Sequence, residues 1–187
     1  MKYAVILLMG ALVACSGQPV ATNYYLLRQD DAIESRELIG SRDYALGNVA
    51  IASYIDQPGM VLEMGAGQIR PALHHQWAEP MNQSVRSFLQ REISTRLGED
   101  LFPATISSAE SVVEIRVDQL HGTSDGQAVI FAYWYLRKDG EILLPHQFGK
   151  TVELASDGYA ALAKAERVLL SGLAKDISDA LLAQRDE

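Results

Sequence analysis

The chain is short of thiols, of long apolar runs and of positive charge. Its 187 residues contain one cysteine, so packing alone must stabilise whatever core it builds. Lysine and arginine number 16 against 24 aspartates and glutamates, a formal net charge of −8. That balance argues against nucleic acid, whose binding needs clustered cations. The longest apolar stretch, Ala4 to Ala14, is too short for a membrane span, which takes about 20 such residues. What the chain does have is a single thiol placed directly after that stretch.

Met1-Lys2-Tyr3 is a short cationic start, Ala4 to Ala14 an apolar centre, and Gln18, Pro19 and Asn23 close the run. This is the layout of a bacterial export signal. Leu12-Val13-Ala14-Cys15 further resembles the lipobox of bacterial lipoproteins. In those proteins the cysteine sulfur takes a diacylglyceryl group, the signal is cut just before it, and the new amino terminus is acylated. The plainer reading is a secretory signal with Cys15 incidental. Leucine at minus three, alanine at minus one and Ser16 after the cysteine favour lipidation. Stable anchoring takes more than one acyl chain, and three would hold the protein effectively permanently. Aspartate after the cysteine resembles an inner-membrane retention mark, so Ser16 points to the inner leaflet of the outer membrane, facing the periplasm.

These features divide the chain into a signal, 1–14, a lipidated amino terminus and tether, 15–23, and one domain, 24–187. Loss of the signal removes Lys2 and leaves a mature balance of −9. Charge therefore does not draw the body to anionic lipid, and the acyl chains must supply the attachment. The periplasm permits disulfides, yet with Cys15 lipidated no thiol remains. Ser16 to Asn23 is small, polar and broken by proline, a tether of up to roughly 27 Å.

Tyr24 to Leu27 predicts a first strand, and 30–47, charge-rich and weakly periodic, a loop with a turn of helix. Asn48 to Tyr54 predicts a second strand. Met60 to Met64 and Gln68 to Ala72 predict a hairpin about Gly65-Ala66-Gly67. Trp77-Ala78-Glu79-Pro80 opens a helix whose buried stripe is Val85, Phe88, Leu89, Ile93 and Leu97, with Gly98 at its cap and Arg86, Gln90, Arg91 and Glu92 solvated. Val113, Ile115 and Val117 alternate with charged residues, giving a strand with one dry and one wet face. Gln127 to Leu136 is apolar on both: Ile130, Ala132, Trp134 and Leu136 line one side, Val129, Phe131, Tyr133 and Tyr135 the other. Asp139-Gly140 turns into a strand that runs from Glu141 around Pro145 toward Leu154. A long helix spans about 157–184, with Tyr159, Leu162, Leu169, Leu173, Ile177 and Leu181 buried and Lys164, Glu166, Lys175 and Asp179 outside. The expectation is a single α+β domain, an antiparallel sheet with two main helices on one face.

Chemistry is sparse. His74-His75 is the most tempting pair for a metal, with Glu79, His121 and His146 as further donors. Adjacent strand histidines point to opposite faces, so they cannot share one ion without irregular backbone. No G-x-S-x-G elbow surrounds a serine, Ser124-Asp125-Gly126 reads as a turn, and Gly65-Ala66-Gly67 lacks the lysine of a phosphate loop. No catalytic residue, metal ligand or cofactor site is assigned. The two-sided strand has two readings of equal weight. It is a central strand covered on both faces, one of them by loops such as 30–47, or Phe131, Tyr133 and Tyr135 form a contact surface for another subunit.

Several stretches then fit one family in order: Tyr24 to Leu27 shortly after the lipobox cysteine, Tyr54-Ile55-Asp56-Gln57-Pro58, Trp77-Ala78-Glu79-Pro80, and the closing helix from Tyr159. Together they resemble the ABC-type transport auxiliary lipoprotein family over nearly the whole mature chain. Tyr54, Asp56, Pro58, Trp77, Glu79 and Pro80 carry the motifs as structural residues. The family often has arginine where this chain has Gln57, and commonly ends the next strand in arginine where this one has Glu63. The resemblance implies a part in moving lipids or other apolar molecules between membranes, beside ABC-type transport components and a mammalian-cell-entry (MCE) domain membrane protein. The implied subunit is tethered to the outer membrane, assembles as a homo-oligomeric ring and receives the end of a periplasm-spanning tunnel. The alternative is a tethered lipid carrier, which needs an apolar cavity of several hundred Å³. A third option, an envelope hydrolase, needs a nucleophile and base that the chain does not supply.

Overall fold

The computed structural model describes residues 20–28 and 37–185. Seven strands and two helices follow in order: β1 (Asn23–Tyr25), β2 (Tyr44–Ile51), β3 (Gly59–Glu63), β4 (Ile69–Trp77), α1 (Met81–Leu97), β5 (Ser111–Thr123), β6 (Gln127–Lys138), β7 (Glu141–Glu153) and α2 (Tyr159–Arg185). They form the expected single α+β domain, with one open sheet in the order β1-β4-β3-β5-β6-β7. β2 also pairs with β5, along its first half from Tyr44↔Ser111 to Ile51↔Val117, while β3 meets the end of β5 at Leu62↔Gly122 and Glu63↔Thr123.

The sheet is mixed. β3–β4, β5–β6 and β6–β7 are antiparallel, but β1–β4, β2–β5 and β3–β5 run parallel. The parallel pairing of β2 with β5 follows from connectivity. α1 lies in the crossover between them, and parallel neighbours need such a long return.

β2 begins at Tyr44, inside the stretch expected as loop, and ends at Ile51. Tyr44, Ala45 and Leu46 are fully buried, and the register slips between Leu46 and Val49, so Gly47-Asn48 is a bulge inside the strand. β4 runs on to Trp77, which ends the strand. Pro80 is the N-cap residue of α1, its carbonyl accepting from the Gln83 and Ser84 N–H groups. Gly98 closes α1 in the left-handed region at φ 73°.

The α1 stripe expected from spacing is buried, but its opposite face is not simply solvated. Arg86 Nη1 donates to the Gly47 carbonyl at 2.7 Å and Gln90 Nε2 to that of Leu101 at 2.9 Å. In α2, Glu166 is 2% exposed, where the sequence pattern placed it outside. It follows Leu162 by four residues and precedes Leu169 by three, so it lies on the apolar stripe. α2 packs on β5, β6 and β7 and against α1, so it is covered on more than one face.

Candidate functional site

The inner side of β6 contributes Ala128, Ile130, Ala132, Trp134 and Leu136 to the core, each nearly or wholly inaccessible. The outer side holds Val129, Phe131, Tyr133 and Tyr135. Phe131 and Tyr135 are half-buried, while Tyr133 is 41% exposed despite its place in a central strand. Phe131 meets Tyr133 edge to face, with ring centroids 5.2 Å apart and planes at 86°.

The neighbouring strands explain why this row is open. On β7, Phe131 faces Gly149 and Tyr133 faces Gln147, and the Phe131 ring fills the space above the glycine. On β5, Tyr133 faces Arg116 and Tyr135 faces Glu114. Both charges are engaged: Arg116 Nε lies 2.6 Å from Asp118 Oδ1, and Arg137 Nη2 lies 2.7 Å from Glu114 Oε1. The result is an aromatic row bordered by neutralised ion pairs, the composition expected of an interface centre with a polar rim.

The six motif residues form a different feature. The Trp77 N–H donates to the Pro58 carbonyl at 2.7 Å, and the Asn82 N–H at the start of α1 donates to Asp56 Oδ1 at 3.2 Å. Pro80 supplies no side-chain cap, so Asp56 caps the helix from 26 residues upstream. Glu79 pairs with Arg28 and accepts from the Ser84 hydroxyl at 3.4 Å. The two motifs, distant in sequence, are one clamp on the helix start. Only Tyr54 points elsewhere: its hydroxyl lies 2.9 Å from His121 Nδ1, and His121 Nε2 lies 3.3 Å from Glu63 Oε2. This geometry suits the tautomer with the proton on Nε2. Burial pushes the Tyr54 phenol up to about 12.

The histidines are dispersed. His74 is exposed, His75 stacks on Tyr159, His121 meets Tyr54, and His146 stacks on Trp134 with centroids 4.4 Å apart. Among the described residues no group of three or more histidine, cysteine, aspartate or glutamate side chains could hold a metal ion. Two clefts, of about 360 and 490 Å³, are lined in large part by charged groups, among them Arg28, Glu79 and Arg91 in one and Asp43, Glu110, Lys138 and Arg185 in the other. Cys15 lies outside the described residues. No helix among the described residues is long and apolar enough to cross a membrane. Sequence reasoning missed the Asp56 cap, which no local pattern reveals, and the buried Glu166, which helical spacing reveals.

These features define an α+β domain with an open aromatic row on one sheet face and a clamped helix start. The chain belongs to the family of ABC-type transport auxiliary lipoprotein components, which matches residues 24–178. That is a family of transport auxiliaries and not of enzymes, and its lipoprotein character implies attachment to a membrane. The chain is 26% identical over 155 residues to the intermembrane transport lipoprotein PqiC of Escherichia coli (strain K12), covering 82% of each. Two crystal structures share the fold. One is of an uncharacterized protein, with TM-score 0.74 and 21% identity over 87% of this chain and 99% of that one. The other is of a protein from Xanthomonas campestris, with TM-score 0.72 and 17% identity over 88% and 98%.

Proposed function

We propose that this protein is a lipid-anchored subunit of an intermembrane system that moves lipids or other hydrophobic molecules, docking an MCE-domain tunnel protein at the outer membrane. Cys15 carries the acyl chains, on the inner leaflet facing the periplasm. The mature chains assemble through Phe131, Tyr133 and Tyr135 into a homo-oligomeric ring that works beside ABC-type transport components. The observation that carries this reading is the open aromatic face of β6, with Tyr133 exposed on a strand that is paired on both sides. Its support from relatives is the name of the Escherichia coli protein, an intermembrane transport lipoprotein.

The carrier alternative finds less support. Both clefts present charged walls, whereas an acyl chain needs an apolar cavity. Photo-crosslinking from position 133 in intact cells tests the docking reading. A second copy of the chain or an MCE-domain protein should be captured. Capture of neither, with efficient crosslinking from a control position, would remove the face from the mechanism.

A further inference from the structure

Val20, Tyr24, Leu26, Ile69 and Leu73 are large apolar side chains left exposed on one edge of the sheet, on β1 and β4 or within three residues of β1. Tyr24 is 65% exposed and Leu73 78%. Leu73 is held out by a break in register. Gly59 pairs with Gln76 and Val61 with Pro71, so β4 sets four residues, 72–75, against Met60 alone. Such bulges re-aim side chains at sheet edges. Behind the edge the structure is braced, with the Tyr25 hydroxyl 3.0 Å from His75 Nδ1 and the His75 ring stacked on Tyr159 at 4.3 Å.

The same edge is free of acidic side chains. Segments 20–27 and 69–77 contain no aspartate or glutamate, in a chain with 24 of them, and Arg70 is their one full cation. An acidic body is repelled by anionic headgroups, and the residues of this edge add nothing to that repulsion. Tether length adds a bound. Val20 follows Cys15 by five residues, which span at most roughly 17 Å.

We propose that the β1–β4 edge lies on the lipid bilayer to which Cys15 anchors the chain. The inference rests on the lipidation of Cys15 in the reading above. Tyr24, with an apolar ring and a polar tip, suits the headgroup level, and the aliphatic side chains reach the acyl boundary. The sheet then stands with β7 as its far edge. Five strand spacings of about 4.8 Å hold β7 roughly 24 Å above β1. The β6 face is thereby lifted off the membrane, clear for subunits and partners.

The test uses the full lipidated chain in vesicles of phosphatidylethanolamine and phosphatidylglycerol. With Cys15 acylated, no other thiol competes, so Leu73→Cys, Tyr24→Cys and Ile142→Cys each accept one environment-sensitive fluorophore. Lipid carrying a headgroup-depth spin label should quench the probes at 73 and 24 several-fold more than the probe at 142, on the β6–β7 hairpin. Equal quenching at all three positions overturns the proposal. So does a probe at 73 shielded from aqueous iodide yet untouched by the lipid quencher, which would mean that a second copy or a partner chain covers the edge. A chain that washes off the vesicles overturns the Cys15 anchor and this inference with it. A chain that stays on with the edge unquenched overturns the inference alone.

Discussion

The Trp134 indole N–H donates to Asp176 Oδ2 over 2.9 Å, joining the central strand β6 to helix α2 through the core. Trp134 is wholly inaccessible, so its one donor has no water to turn to. Asp176→Ala should leave that donor unsatisfied and cost about 1–3 kcal/mol. Urea unfolding followed by circular dichroism checks this. An unchanged midpoint would mean that the indole finds another acceptor.

Asp56 acts on α1 as a cap supplied from outside the helix. Asp56→Ala should cost about 1 kcal/mol, whereas Asp56→Asn, whose side chain also accepts from an N–H, should keep most of the stability. Equal losses in the two variants by urea titration would show that the carboxylate charge, not the acceptor, matters at the helix start.

Glu166 sits wholly buried on α2, and desolvation pushes its carboxyl up to about 8 from 4.5. A raised carboxyl pKa favours the protonated form in the folded state. Its contribution is therefore fully present below pH 4.5 and is lost as pH rises through about 8. Tyr54 is the neighbour whose own ionisation feels the Glu166 charge. Glu166→Gln should be nearly neutral at pH 5 and stabilising at pH 8.5, by an amount on the order of a few kcal/mol. The comparison is the difference in unfolding free energy between variant and wild type at the two pH values. A pH-independent difference would show that Glu166 is ionised throughout or hydrated.

Much of this fold is legible because its periodicities are strong. The alternation in Val113 to Val117, the two apolar faces of β6, the four-residue repeat of α1 and the Asp139-Gly140 turn each specify their element locally. Asp139 and Gly140 both take positive φ, 51° and 86°, as such a turn requires. The start of β2 was hidden because 30–47 is charge-rich and weakly periodic, and only pairing with Ser111 to Val113 draws Tyr44 to Leu46 into a strand. The mixed sheet was hidden for a related reason. Which strand lies parallel to β5 is decided by a crossover through α1, which no window of residues records. Glu166 was misplaced by its charge when its spacing from Leu162 was the better guide. The aromatic face was visible as a pattern, but which side chains lie opposite it, Gly149 and Gln147 on β7 and Arg116 and Glu114 on β5, is a relation between strands. Asp56 and Pro58 were recognisable as a motif with no visible purpose until the fold brought Asn82 and Trp77 to them.

The central claim is that the outer face of β6 joins subunits. Light scattering on the mature domain with Cys15→Ser, across a concentration series, measures this most directly. The account predicts a discrete oligomer that the Tyr133→Asp, Tyr135→Asp double variant reduces to a folded monomer. A double variant that assembles like the parent, or a parent monomeric at every concentration, would contradict it.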